Sequence, residues 1–275
     1  MSGDSVTKRF RVTRQILTFA AFLVCGGAAS VSAQDPGEAK TTAAVAASGD
    51  RRTLRRLPAN FVHGLAGVFH RDTLVPLVVG GVATGGASIF DQDMREWISP
   101  DPGEGWGDTI SASGGLWSGV FVAGMFTAGR ISKHTRFRAV TYDWLDASMM
   151  NAVYFQSLKF IVGRERPNGS NNQSFPSGHT SNAFALATVT ERHYGWKVGV
   201  PAYLLAGAVG AARMKEDAHY FSDVVAGATL GYIIGRTVVR VNNRPLAAEA
   251  PRGVSLNIAP IVARRSRGLQ MSLSF

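Results

Sequence analysis

Cysteine is almost absent from this chain: Cys25 is the single one among 275 residues. It falls inside an N-terminal apolar stretch, so no disulfide framework is expected in the rest of the chain. Charge is scarce too, at 17% of residues, and acidic side chains (19) are rarer than basic ones (29). No Cys, His and carboxylate cluster falls at metal-ligand spacing, so no metal centre is expected. The net charge of +10 would suit nucleic acid only if the cations formed an aromatic-interleaved stripe, which they do not. They gather instead near the N-terminus, in Arg51-Arg52-x-x-Arg55-Arg56, between Arg130 and Arg138, and after Arg236. Such clusters suit an anionic membrane surface. Most apolar runs fall short of the roughly 20 residues that a spanning helix needs. No repeat of fixed period is present.

What is there divides the chain into four parts. Residues 1–33 have a basic start (Lys8, Arg9, Arg11, Arg14), an apolar stretch from Ile16 to Ala29, and Val31-Ser32-Ala33 before Gln34. This pattern is that of an export signal, with a retained N-terminal anchor as its alternative. Residues 34–60 form a polar, small-residue tether without periodicity. Residues 61–241 hold six apolar stretches, near Leu74–Phe90, Gly114–Ala128, Ala139–Val162, Thr180–Thr190, Val198–Ala212 and Val224–Val239. Their frequent glycines and alanines predict closely packed helices. Residues 242–275 begin with a basic linker, and Val254–Ile261 and Gly268–Phe275 then alternate as a β-hairpin would. The fold expected is therefore all-α, a six-helix bundle with a short hairpin tail.

Three short motifs carry the chemistry: Lys159-x6-Arg166-Pro167, Pro176-Ser177-Gly178-His179 and Arg213-x5-His219-x3-Asp223. A phosphoryl group in transfer spreads its charge over three oxygens. Lys159, Arg166 and Arg213 offer the matching cations, the arginines as bidentate forks and the lysine as a point charge. Lys159 and Arg166 are predicted to share one face of a helix end, stopped by Pro167. Ser177 reads as an N-cap, with Gly178 and His179 opening a helix whose amides face an anion. His219 and Asp223, at i and i+4, are predicted to share a helical face. Asp223 would then accept the Nδ1 proton and leave Nε2 free to attack phosphorus. His179 would protonate the leaving oxygen and later activate water. Alternating up and down, six helices bring all the motif-bearing ends to one side.

As a set, these motifs resemble the signature of the type 2 phosphatidic acid phosphatase (PAP2) superfamily. That superfamily also holds bacterial non-specific acid phosphatases and vanadium haloperoxidases, and the resemblance covers roughly Asp72 to Arg240. It implies His219 as nucleophile, Asp223 as its partner and His179 as acid/base. It implies Lys159, Arg166, Ser177, Gly178 and Arg213 as phosphate ligands, with no metal and no cofactor. Ala212 and Phe221 depart from the pattern, standing where Ser and Pro are usual.

The activity expected is a metal-independent phosphohydrolase of the cell envelope, acting through a phosphohistidine on its periplasmic side. Lipid phosphates, isoprenyl pyrophosphates and small esters all remain open as substrates. The alternatives are a soluble periplasmic acid phosphatase, a vanadate-dependent haloperoxidase and an inactive envelope scaffold. Peripheral attachment through the basic clusters is expected in preference to six membrane crossings.

Overall fold

Eight α-helices form among the described residues, and six of them coincide with the six apolar stretches. The computed structural model describes residues 52–98, 116–244, 255–263 and 266–274; the segment expected to be an export signal, most of the expected tether and most of the basic linker lie outside these. After a 3-10 turn at Leu54–Arg56, α1 runs Leu57–Gly67, α2 Arg71–Ser88 and α3 Asp91–Ile98. Then follow α4 Leu116–Ile131, α5 Thr135–Val162, α6 Gly178–Tyr194, α7 Trp196–Lys215 and α8 Phe221–Asn242. The two additional helices are α1 and α3. Residues 54–60, expected within the tether, are helical because Pro58 sits in the first turn of α1, where its missing N–H costs nothing.

The end of α5 differs from expectation in a way that matters for chemistry. The helix stops at Val162, where Gly163 takes φ 59° and donates its N–H to the Lys159 carbonyl. A glycine in the left-handed region ends a helix without steric cost, so Gly163 acts before Pro167 can. Arg166 therefore lies in a loop and not on the helical face that carries Lys159.

The bundle is centred on α8. Val140, Met150, Val189, Ile233, Ile234 and Val238 form its apolar core. Gly227, Gly231 and Gly235 make a ridge along α8, one turn apart. A Cβ on Gly227 would lie 2.5 Å from the Ser177 carbonyl oxygen, one on Gly231 2.1 Å from that of Ser181, and one on Gly235 2.6 Å from that of Ala185. Only glycine admits the α6 backbone at this distance, as in small-residue helix contacts generally. The ridge thus sets the α6–α8 spacing and draws the two N-terminal ends together.

The opposite end of the bundle is tied by buried polar groups. Asp143 of α5 accepts from Arg52 Nε at 2.9 Å and Nη2 at 2.8 Å, and from Asn242 Nδ2 at 2.8 Å. His193 Nε2 lies 2.7 Å from the same carboxylate. A buried carboxylate is tolerable only when paired and hydrogen-bonded in this way.

Apolar side chains also cover much of the outside. Val75, Val78 and Val82 on α2, Val120 and Phe121 on α4, and Leu204 and Leu205 on α7 are all exposed, and Phe160 at the end of α5 is 89% exposed. Among the described residues, only α8 is long and apolar enough by itself to cross a membrane; α1 and α2, bent by 58°, pass the same test as a pair.

The tail forms a separate unit. Strands β1 (Ser255–Ala263) and β2 (Ser266–Ser274) pair antiparallel, from Ser255 opposite Ser274 to Ala263 opposite Ser266. Pairing therefore extends further toward the basic turn than the residue alternation suggested.

Candidate active site

The end of α5, the start of α6, the end of α7 and the start of α8 meet. The Ser177 amide donates to the Asp223 carbonyl at 3.0 Å, which joins the α6 and α8 ends directly. Lys159, Arg166 and Arg213 are near enough for their charges to act on one another, and all three act on His179. Lys159 and Arg213 are buried, and each has a local oxygen to hold it: Lys159 Nζ donates to the Gln173 carbonyl, and Arg213 Nη1 to Glu216 Oε2 at 2.6 Å. Arg166 Nε donates to Asn171 Oδ1 at 2.9 Å. Burial and the neighbouring Arg213 lower the Arg166 guanidinium below its ordinary value, yet an arginine remains a cation throughout the accessible pH range.

Ser177 is the N-cap of α6 in extended conformation, as expected. Its hydroxyl lies 2.9 Å from Thr180 Oγ1 and caps no backbone amide. The helix end keeps its outward-facing N–H groups, the natural partners of an anion. A Cβ on Gly178 would sit 3.0 Å from the Phe155 ring, which would have to shift by a few tenths of an ångström to admit it.

The His219–Asp223 pair is built differently from a shared helical face. His219 lies in the turn before α8, while Asp223 occupies the first turn of that helix. His219 Nδ1 is 2.6 Å from the Ser174 carbonyl oxygen and 3.9 Å from Asp223 Oδ2. A carbonyl can only accept, so Nδ1 carries the proton and Nε2 carries the lone pair. Burial pushes the His219 imidazole below its ordinary value; Asp223 opposes this, and the Lys159 and Arg166 charges add to it. Burial and these two cations favour the neutral ring.

Asp223 is itself held from several sides. Its Oδ2 accepts from the Ser174 hydroxyl and from the Tyr220 amide at 2.9 Å, and its Oδ1 accepts from Arg164 Nη1 at 2.7 Å. The Tyr220 contact is a carboxylate reaching back to the N-cap amide, the geometry of a capping box. Arg164, Ser174 and Asp91 were not marked by the sequence pattern. Arg164 stands inside the Lys159-x6-Arg166 spacer, where a further cation was the available signal; Ser174 and Asp91 carried none.

Residues 144–246 match the family model of the PAP2 superfamily. The matched stretch is under half of the chain. It includes all eight residues that the sequence singled out. The chain is also similar to a lipid A 1-phosphatase of Porphyromonas gingivalis, 40% identical over 80 residues, or 28% of this chain. The match covers 18% of that relative's length, so the chain spans under a fifth of the curated protein it resembles. Among solved structures, Aquifex aeolicus LpxE is similar at 24% identity and TM-score 0.34, covering 49% of this chain and 92% of that one. The first transmembrane PAP2 type phosphatidylglycerolphosphate phosphatase from Bacillus subtilis follows at 20% identity and TM-score 0.33, covering 57% and 94%.

Proposed function

We propose that this chain is a metal-independent phosphohydrolase that removes phosphate from a lipid phosphate through a phosphohistidine on His219. The observation that carries this reading is the His219 ring, buried and fixed by Ser174 as the Nδ1–H tautomer, beside three mutually repelling cations. Such a cluster of positive charge is stable chiefly with an anion among it, and phosphate brings both the charge and an electrophilic centre. Nε2 attacks phosphorus and the P–O bond to the alcohol breaks, with His179, protonated once the bound phosphate offsets the three cations beside it, supplying the proton to the leaving oxygen. His179 then takes a proton from water, which attacks phosphorus and releases orthophosphate and the free imidazole.

A lipid substrate is favoured over a small soluble ester by the exposed Phe160, Ile161 and Val162, which directly follow Lys159. Exposed large apolar side chains also stand on α2, α4 and α7, and apolar surface gathered into patches marks a membrane or partner contact. They favour a bundle seated in the bilayer over attachment by charge alone. The basic residues Arg130, Lys133, Arg136, Arg138, Arg236 and Arg240 cluster toward the bundle end away from His219. Because basic loops stay on the cytoplasmic side, this asymmetry turns the site outward, toward the periplasm.

The test is turnover by the purified chain with and without detergent micelles. Lipid A, phosphatidic acid, an isoprenyl pyrophosphate and p-nitrophenyl phosphate make up the panel. Release of orthophosphate from micellar lipid, at a kcat/KM well above that for the soluble ester, is expected. Preference for the soluble ester would favour the acid phosphatase reading, and no release from any substrate would favour the scaffold. In membranes, the chain should resist high-salt and carbonate washes.

A further inference from the structure

Asp91, the first residue of α3, and Arg164, in the loop after α5, have no part in the three motifs, yet they lie directly behind the reactive turn. Asp91 Oδ1 accepts from the Ser222 amide at 2.8 Å and Oδ2 from the Ser222 hydroxyl at 2.7 Å. A carboxylate from another helix thus satisfies an amide in the first turn of α8. Arg164 bridges the two carboxylates: Nη2 donates to Asp91 Oδ2 at 2.8 Å, and Nη1 to Asp223 Oδ1 at 2.7 Å and to Ser222 Oγ at 2.8 Å. Its guanidinium also stacks on the Tyr220 ring, 4.0 Å from the centroid. Burial alone would lower Arg164, but the Asp91 hydrogen bond and the Asp223 and Asp91 charges reverse this and hold it protonated.

The chain of contacts continues to the nucleophile. Asp223 holds the Ser174 hydroxyl, and the carbonyl of the same Ser174 accepts the His219 Nδ1 proton. The Ser174 amide in turn donates to the Arg164 carbonyl at 2.9 Å, so the path closes on itself. We propose that Arg164 and Asp91 are positioning residues of the reaction, anchoring Asp223 and, through Ser174, fixing the tautomer and orientation of His219. Arg164 acts behind the nucleophile and binds no phosphate. The charged groups facing His219 are Lys159 from α5, Arg166 from the following loop, His179 from α6 and Asp223 from α8, with Arg213 of α7 beside His179. Charged-group hydrogen bonds of this kind are the strong ones, and members of such a network act as a unit.

The proposal rests on the phosphohydrolase reading, and its test separates the two. Arg164→Gln and Asp91→Asn should each lower kcat about 10- to 100-fold, the scale of a small misplacement of reacting groups. Vanadate inhibition should stay within about threefold of wild type in both, and the double variant should be no worse than Arg164→Gln alone. Arg166→Gln should instead weaken vanadate binding, and Arg164→Lys should recover part of the lost kcat. Equal loss of vanadate affinity in Arg164→Gln and Arg166→Gln would make Arg164 a phosphate ligand, and unchanged kcat would make it structural; either overturns the proposal. Independently of turnover, 15N-histidine NMR should show His219 as the Nδ1–H tautomer in wild type and as a tautomer mixture in Arg164→Gln. A wild type that hydrolyses nothing would remove the function alone, whereas an unchanged His219 tautomer in the variant would remove the positioning role.

Discussion

Replacing Gly231 by alanine tests whether the glycine ridge of α8 builds the site. The added Cβ would lie 2.1 Å from the Ser181 carbonyl oxygen and 2.9 Å from the Ala185 amide nitrogen. Both are backbone atoms of α6, so no side chain can swing away, and the two helices must part by about 1 Å or more to reach ordinary contact near 3.5 Å. Overpacking of this kind costs about 1–3 kcal/mol. The consequence for catalysis is larger than for stability, because Ser177 and Asp223 meet across the same interface at 3.0 Å. A displacement of about 1 Å between groups that must act together can cost about 100-fold in rate. Gly81 and Gly85 on α2 supply the control, since a Cβ at either would meet nothing within 4 Å. Alanine there should be neutral or stabilise by about 0.5–1 kcal/mol through helix propensity. The assay is the thermal midpoint in detergent together with kcat. Gly231→Ala with wild-type kcat and an unmoved midpoint would refute the idea that the ridge fixes the site.

Four further outcomes follow from the site. His219→Ala should abolish turnover, and brief exposure to labelled substrate should leave an acid-labile, alkali-stable phosphoryl group on wild type only; a labelled variant would point to another nucleophile. His179→Ala should slow alkyl phosphates far more than aryl phosphates, whose leaving groups need no proton, so equal losses would reduce His179 to a phosphate-positioning role. The buried neutral His219 has a folded value below the unfolded one of about 6.5. Its contribution to stability is present above pH about 6.5 and is lost as pH falls through the lower folded value, and the acid limb of kcat/KM should lie below 6.5 as well. An acid limb above 6.5 would mean that the ring is not held neutral by burial. Vanadate should compete with substrate while EDTA has no effect, and EDTA inhibition reversed by a divalent ion would overturn the metal-free reading.

Much of the frame was legible in the residues because apolar runs flanked by glycine and proline report helices directly. All six runs became helices, and the four motif-bearing ends meet as alternation predicted. The helix α3 escaped notice for a physical reason: Asp91-Gln92-Asp93-Met94-Arg95-Glu96-Trp97-Ile98 is mostly polar, and its place depends on Arg164 and Ser222, both distant in sequence. Spacing also misjudged the details of the site. Seven residues suggested one helical face for Lys159 and Arg166, but Gly163 intervenes. Four residues suggested a direct His219–Asp223 bond, but α8 begins between them and the Ser174 carbonyl accepts from Nδ1–H. Periodicity along one element cannot report a carbonyl brought in from a loop 45 residues away.

The buried Asp143 has a topological meaning. One of its oxygens receives both Arg52, where the helical unit enters, and Asn242, where it leaves. The unit is in effect a ring whose two loose ends are stapled to one atom. Chain termini held side by side can be joined and the chain opened elsewhere without disturbing the packing. A permuted chain joined from 242 to 52 and opened at 132–134 would keep every hydrogen bond around His219, since none of them involves either break. The order in which the helices are written along the chain is then incidental to the chemistry, and their arrangement in space is what the reaction needs.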